Sequence, residues 1–404
     1  MKICIIGQGY VGLSLAIAAA EATHKVTGFD TNQQVINNII SSNTSVNGIS
    51  RSQIDRFIKN FQYTATSNPN EMKDCEIIII AVPTPLNENR EPNVEFLLSA
   101  SKLIGENAAN GTLIINESTS YPGTLRNLIK PVIEQSSNFN FLYAASPERV
   151  DPASESWNLN NTPRVISGLT EEATNLAKDF YQSFCKKIII VSTPETAEAS
   201  KLFENTFRQL NIALANEFSE IASHLNFSAS EAIKAASTKP FGFIPFYPGV
   251  GVGGHCIPID PSYLSHSAKK KGASVALIEL ANEINLFRPK IIANRIKGIL
   301  NNELSGKEIQ IAGISYKPEV SDMRESPAIV LIQELTKLGA NVFWHDPLVE
   351  YFNGQTSRPL ATKIDLGIIV SPHKEINFAV WLNSEIPVID LSSNSKNYGW
   401  PKFF

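Results

Sequence analysis

Cysteine is scarce in this 404-residue chain, and the few present do not pair. Cys4, Cys75, Cys185 and Cys256 lie far apart with no CxxC spacing. Together with the six histidines they offer no zinc-ligand pattern, so no metal site is expected. This excludes a disulfide scaffold and fits a reducing compartment. Charge of one sign is also lacking. Thirty-nine acidic against 35 basic residues leave a formal net charge of −4, which creates no field to draw in nucleic acid. A phosphate-bearing ligand must therefore be held by local devices. Long apolar runs are missing, since none approaches the ~20 residues of a bilayer span. The opening MKICIIGQGYVG is too short and too broken by glycine for a signal segment, and it lacks a cleavage site. A soluble cytoplasmic protein is expected, with neither nucleic acid nor membrane as partner.

What is there is ordinary globular material, 43% hydrophobic and 18% charged, in a chain long enough for two or three domains. Residues 2–6 form a short apolar run. Gly7-Gln8-Gly9-Tyr10-Val11-Gly12 follows, then an alanine-rich helix to about Ala22 and a strand over Lys25–Phe29 that ends in Asp30. This is the dinucleotide-binding fingerprint in its full context. Gly7 permits the tight turn, Gly9 the close approach of a pyrophosphate, and Gly12 close helix–strand packing. The helix N-terminus faces the phosphates. Asp30 accepts from ribose hydroxyls and repels a 2′-phosphate, which selects NAD.

Further strands are predicted at Glu76–Val82, Thr112–Asn116, Phe141–Ala145, Pro163–Ser167 and Lys187–Val191, with a helix over about Glu171–Phe184. Three of these strands run into polar clusters: Pro83-Thr84-Pro85, residues 117–124 (ESTSYPGT) and Ser146-Pro147-Glu148-Arg149. Clusters at successive strand ends are where open α/β sheets bind ligands. From Pro194 the character turns helical. Phe203, Phe207, Leu210, Leu214, Phe218, Ile221 and Leu225 make an apolar stripe at helical period over 195–226. Lys201, Asn205 and Arg208 share a different face, one above another. A lone lysine there would be a solvated basic face; Asn205 one turn away makes it a site candidate. Ser228 and Glu231 have capping-box spacing for a short helix, and helices follow over about 261–271 and 274–300.

Strand–helix alternation returns from Lys307, with strands at 308–314, 341–345, 365–370 and 387–391 and a helix over 326–338. No GxGxxG accompanies them, so this lobe carries a nucleotide half-site of another kind. Lys317 and Arg324 in its strand–helix connection can hold phosphate oxygens, or instead form a salt-bridged loop with Glu319, Asp322 and Glu325. The fold expected is α/β, two doubly wound Rossmann-like lobes joined by a long-helix block. Its domains are 1–194 (NAD-binding), 195–302 (linker and dimerisation) and 303–404 (the second nucleotide half-site).

The central block also holds FGFIPFYPGVGVGGHCIPIDPSY, residues 241–263. Gly251, Gly253 and Gly254 lead into Cys256, with Asp260 four residues on. A buried apolar cysteine is the commoner reading of a lone thiol. A thiol presented on a glycine-rich loop is also the side chain best suited to attack a carbonyl. His255 is adjacent in the loop and points elsewhere, so it is read as structural or subunit-contacting.

With these residues in hand, the chain resembles the UDP-glucose/GDP-mannose dehydrogenase family over nearly its whole length. The matching blocks are GQGYVG, VPTP (82–85), ESTSYPGT (117–124), SPERVDP (146–152), SKLFENTFRQLNIALANE (200–217), GVGVGGHCIPIDP (249–261) and SYKPEVSDMRESPA (315–328), in order. PFYPG, GGHCIPIDP and PLNENREP resemble the bacterial branch acting on UDP-N-acetylhexosamines, notably UDP-N-acetylglucosamine 6-dehydrogenases of surface-polysaccharide synthesis. The resemblance implies two successive NAD-dependent oxidations at C6, with Cys256 forming a thiohemiacetal and then a thioester. It implies Lys201 and Asn205 as oxyanion donors, Asp260 and Thr119 as water-positioning groups, and Glu148 as general base. Gly7, Gly9, Tyr10, Val11, Gly12, Asp30, Thr84, Thr119 and Arg324 would contact the cofactor. Glu148, Arg149, Val150, Lys201, Asn205, Arg208, Phe246, Tyr247, Gly253 and Lys317 would contact the substrate, with Phe241–Tyr247 walling uridine or sugar. A homodimer is the minimum assembly. The chain departs from the pattern at Val250, where the branch often has proline. It departs again at Ser392-Ser393, where relatives commonly carry arginine and asparagine after Asp390.

Two other readings compete. A single-step hydroxyacid or sugar-phosphate dehydrogenase needs no cysteine nucleophile, which argues against it. A non-catalytic nucleotide-sugar-binding protein has no use for Cys256, Lys201, Asn205, Asp260 and Glu148 together.

Overall fold

The computed structural model describes every residue except 44–45, 47–48, 151–155, 394–397 and 401–402. Asp151 and Pro152 of the SPERVDP block lie outside the described residues. The chain divides into two compact units. The first comprises Met1–Glu204 and Ser262–Ala273, the second Asn205–Pro261 and Ser274–Phe404.

The first unit is built on an eight-stranded sheet. Its strands are β1 (Lys2–Ile6), β2 (Lys25–Phe29), β3 (Tyr63–Thr66), β4 (Ile77–Ile80), β5 (Leu113–Asn116), β6 (Leu142–Ala145), β7 (Arg164–Gly168) and β8 (Ile188–Ile190). They lie in the order β3-β2-β1-β4-β5-β6-β7-β8. Alternate side chains enter two separate cores. Ile3, Ile5, Ile77 and Ile79 face one, while Cys4, Ile6, Ile78 and Ile80 face the other. The first core is covered by α1 (Tyr10–Glu21), α2 (Gln33–Ile40), α3 (Arg51–Lys59) and α6 (Glu171–Gln182). The second is covered by α4 (Glu95–Asn107) and α5 (Lys130–Gln135). Helices on both faces explain why the strands read as unbroken apolar runs. One pairing departs from an all-parallel series, because β7 runs antiparallel to β6.

Helix α7 (Pro194–His224) is one continuous element, as the 3.6-residue period predicts. Its exposed side is the reverse of the usual one. Phe203, Leu214 and Leu225 of the apolar stripe are 68%, 65% and 67% exposed, whereas Lys201 and Asn205 are buried. The solvated basic face is thereby excluded for those two residues; Arg208 alone of the three is exposed.

In the second unit, α8 (Ala229–Ala236) starts at Ser228, whose Oγ accepts from the Glu231 N–H. Of the next two helices, α9 (Asp260–Lys270) belongs mostly to the first unit and α10 (Ala276–Ile299) to the second. The seam between α7 and α10 is polar. Asn216 Nδ2 donates to Asn285 Oδ1 at 2.9 Å, Arg288 Nη2 to Ser219 Oγ at 2.5 Å, and Gln209 to Asn282. The same seam holds Gly249, whose N–H donates to Asn216 Oδ1 and whose carbonyl accepts from Arg288 Nε. It therefore anchors the start of the cysteine loop.

The rest of the unit is a four-stranded parallel sheet in the order β10-β9-β13-β14. Its strands are β9 (Glu308–Ala312), β10 (Asn341–His345), β13 (Leu366–Ile369) and β14 (Val388–Asp390), accompanied by α11 (Pro327–Lys337) and the short α12 (Ala379–Leu382). A small hairpin of β11 (Tyr351–Phe352) and β12 (Gln355–Thr356) sits between β10 and β13 in the chain. Two α/β lobes, parallel apart from the β6–β7 pair, and a long-helix block are the fold class expected. Among the described residues no helix is long and apolar enough to cross a membrane.

Candidate active site

The first unit holds a cradle for a dinucleotide. Gly7 adopts φ +92°, and a Cβ there would meet the Ala81 carbonyl oxygen at 2.4 Å. A Cβ on Gly12 would meet the Gly7 carbonyl oxygen at 1.8 Å. Gly9 is different: a Cβ built on it meets nothing within 4 Å. Packing thus demands two of these glycines, whereas the third leaves room beside the start of α1, which has no side-chain cap at Gly9. Open N–H groups at a helix start suit a pyrophosphate. Asp30, at the end of β2, accepts from the Gln8 N–H at 2.8 Å and the Asn32 N–H at 2.9 Å, which fixes its carboxylate beside the turn. Tyr10 is half-buried, Val11 packs against the first core, and Thr84 is buried beyond β4. These residues fit NAD.

The loop after β5 carries Thr119, whose Oγ1 accepts from Lys201 Nζ at 2.5 Å. Glu148, beyond β6, accepts from the backbone N–H groups of Arg149 and Val150 at 2.6 and 2.5 Å. Those two residues therefore hold Glu148 through their amides, and the Arg149 side chain pairs with Glu204 and the Pro163 carbonyl. Beneath Glu148 lies a group that sequence reasoning missed. Arg164 of β7 is 5% exposed and reaches Glu148 Oε2 at 3.3 Å and Glu117 Oε1 at 2.6 Å. Its guanidinium stacks 4.5 Å above the Tyr181 ring, and Tyr181 donates to Glu117 at 2.5 Å. Burial pushes the Glu117 carboxyl up, partly opposed by Arg164, with the Glu148 charge adding to the rise. The available signal was an arginine inside an otherwise apolar strand.

In the second unit, Asn205 Nδ2 donates to Asp260 Oδ2 at 2.7 Å. The Asp260 N–H donates to the Cys256 carbonyl at 2.9 Å, closing a single turn that leads into α9. Cys256 is exposed, unlike the other three cysteines, which removes the core-hydrophobe reading. The preceding glycines serve packing. A Cβ on Gly253 would meet the Glu325 carbonyl oxygen at 2.9 Å, and one on Gly254 (φ +87°) would meet the Tyr316 ring at 2.8 Å. The Gly254 N–H donates to the Arg324 carbonyl at 3.0 Å. The cysteine loop is thus laid against residues 316–327.

Arg324 grips Asp322, with Nη2 to Oδ2 at 2.6 Å. That bond raises its already high pKa further, with burial opposing and the Asp322 charge adding to the rise. Lys317 lies 5.6 Å from the Tyr316 ring centre. Phe246 is half-buried against Phe207, with ring centres 6.0 Å apart, and Tyr247 beside it is half-buried too. A second missed cluster braces this segment. His373 Nδ1 accepts from the Glu319 N–H at 3.0 Å, while Nε2 faces Asp346 at 3.1 Å and Ser315 at 2.9 Å. At the end of β14, Ser392 turns inward, with Oγ donating to Asp390 Oδ1 at 2.6 Å.

Three family models match the chain in sequence: the NAD binding domain of the UDP-glucose/GDP-mannose dehydrogenase family over residues 1–185, its central domain over 195–286 and its UDP binding domain over 310–390. Protein CapL of Staphylococcus aureus is 33% identical, over 98% of this chain and 92% of its own length. A UDP-N-acetyl-D-glucosamine 6-dehydrogenase of Pseudomonas aeruginosa is 32% identical, over 86% of this chain and 83% of its own. The solved UDP-D-ManNAc dehydrogenase of Pyrococcus horikoshii superposes with a TM-score of 0.88 at 31% identity, over 100% of this chain and 97% of that one.

Proposed function

The chain belongs to the UDP-glucose/GDP-mannose dehydrogenase family, whose first domain binds NAD, and from that premise we propose that it oxidises the C6 hydroxyl of a UDP-N-acetylhexosamine to a carboxylate. The observation that carries this reading is the cluster of Cys256, Asp260 and Asn205: an exposed thiol on a turn closed by a carboxylate that is itself held by an amide.

NAD, when bound, supplies the hydride acceptor for each of the two oxidations. Gly9 and the start of α1 would take its pyrophosphate, Asp30 its ribose, and Tyr10, Val11, Thr84 and Arg324 would border it. Lys201 and Asn205, one turn apart on α7, would donate to the alkoxide of the alcohol and later to tetrahedral oxyanions. Donors of this kind are worth about 3 kcal/mol each. The Cys256 sulfur, losing its proton, bonds to C6 of the aldehyde, the C=O electron pair moves to oxygen, and that oxygen takes up a proton as the thiohemiacetal hydroxyl, which keeps the reactive carbon in place. After the second oxidation, water adds to the thioester carbonyl, the C–S bond breaks, and the thiol leaves. Glu148 would take the proton of that water, and Thr119 and Asp260 would orient it. Lys317, Arg208, Arg149, Val150, Gly253, Phe246 and Tyr247 remain the proposed substrate contacts.

We assign residues 1–194 to the cofactor, 195–302 to the thiol-bearing block and 303–404 to the UDP moiety. The apolar face of α7 is assigned to a second copy of the chain, because its aromatic stripe is exposed while its polar side is hydrogen-bonded inward. Light scattering on Leu214→Glu tests this: a homodimer that becomes a monomer supports it, and an unchanged mass opposes it.

The motifs favour the gluco epimer. The manno epimer is the second reading, supported by the Pyrococcus horikoshii relative of that name. A panel of UDP-N-acetylglucosamine, UDP-N-acetylmannosamine, UDP-glucose and GDP-mannose with NAD, scored by NADH formation, tests both. Turnover confined to UDP-glucose or GDP-mannose would refute the N-acetylhexosamine assignment.

A further inference from the structure

Glu198 stands one turn before Lys201 on α7, and the chemistry above makes no use of it. It is 3% exposed. One carboxylate oxygen accepts from the Gly123 N–H at 2.6 Å, the other from the Leu125 N–H at 2.9 Å. Both amides belong to the far end of the loop after β5, where the chain enters the helical residues Leu125–Ile129. Three residues on, Lys201 reaches Thr119 at the near end of that loop.

Residues three apart share one face of a helix. The contacts are therefore two attachments between the same two segments, spaced from Thr119 to Gly123 on the loop. A single hydrogen bond fixes a distance and leaves rotation free. A second one removes that freedom. Ser118 ties the base of the loop to the segment after β4, its Oγ accepting from the Val82 N–H at 2.9 Å, but does not reach the far end of the loop.

We propose that Glu198 is a positioning residue for the oxidation: by holding the Gly123 and Leu125 amides it fixes where Thr119 meets Lys201, and so where the lysine ammonium stands. The inference rests on the reading of Lys201 as an oxyanion donor.

Burial pushes the Glu198 carboxyl up to about 7, partly offset by the Leu125, Gly123 and Thr124 amides, with the Glu195 charge adding to the rise. The other groups facing it are Tyr121 on the loop and Arg126, which pairs with Glu195. A carboxylate offers two acceptors to two amides. Once protonated, one oxygen becomes a donor and that attachment is lost. The attachment is therefore complete above pH about 7 and weakened below it.

The test uses the full chain with UDP-N-acetylglucosamine or UDP-N-acetylmannosamine, whichever turns over, and kcat per NADH-binding site counted by fluorescence titration. Glu198→Gln should lower kcat about 10- to 100-fold, as small misplacements of catalytic groups do, with KM for NAD changed by about twofold at most. It should also remove a limb of the kcat–pH profile near 7. The double variant Glu198→Gln/Thr119→Ala should be no slower than Thr119→Ala, because both act through one contact. Multiplying losses, or a Glu198→Gln enzyme with fewer binding sites and full kcat per site, would overturn the inference. Lys201→Met separates the failures. Turnover retained there removes the lysine's role and the inference with it. Turnover lost there, together with multiplying losses, overturns the inference alone.

Discussion

Asn205 holds Asp260 by a 2.7 Å hydrogen bond from its amide nitrogen, and the Asp260 backbone closes the turn that displays Cys256. The side chains of α7 and the cysteine loop are thereby mechanically linked. Asn205→Ala removes both the proposed oxyanion donor and the support of Asp260. Its kcat should fall about 10²- to 10³-fold, the loss typical of one such donor. Asp260→Asn, which keeps the shape, should lose kcat with little change in KM. Steady-state kinetics on both variants checks this.

Gly12 and Gly9 of the first turn should separate by cause. Gly12→Ala drives a Cβ into the Gly7 carbonyl and should abolish folding of the first unit. Gly9→Ala meets no protein atom, so thermal stability should change by no more than about 0.5 kcal/mol while NAD affinity falls. Calorimetry with and without NAD distinguishes the two. A Gly9→Ala chain that binds NAD normally would remove the pyrophosphate from that spot.

Arg164 pairs with both Glu117 and Glu148 from inside the sheet. Arg164→Met leaves two carboxylates facing each other without a cation and should cost about 3–5 kcal/mol of stability. Glu117→Gln keeps an acceptor for Tyr181 and Arg164 and should cost less. Urea unfolding of the two variants reads the order.

Glu198 also sets a pH dependence of stability. Its folded carboxyl titrates near about 7 against an ordinary 4.5, so the folded state prefers it protonated. The associated stabilisation is full below 4.5 and is lost as pH rises through about 7; the gap corresponds to about 3 kcal/mol. The stability difference between Glu198→Gln and the parent chain should therefore shift in favour of the variant between pH 5 and 8. A pH-independent difference would contradict the burial of the charge.

Much of the fold was legible because buried parallel strands write themselves as apolar runs. Lys25–Phe29 and Asn341–His345 fall where the pattern places them. The reversed β7 was not legible, since strand direction depends on connections and not on composition. In α7 the period named the residues that share a face but not which face turns inward. The inner side is polar because Asn216, Ser219 and Gln209 find partners on α10, and hydrophobicity alone cannot anticipate such pairing. Glu198 and Arg164 escaped notice for a related reason. Each is a single charged residue whose role comes from partners distant in sequence.

The central claim is a four-electron oxidation carried through a covalent thiol adduct. It is tested most directly by counting NADH formed per UDP-N-acetylhexosamine consumed when the sugar nucleotide is limiting and NAD is in excess. The account predicts two NADH per sugar, with no free aldehyde accumulating. One NADH per sugar would contradict it and leave Cys256 with no nucleophilic role.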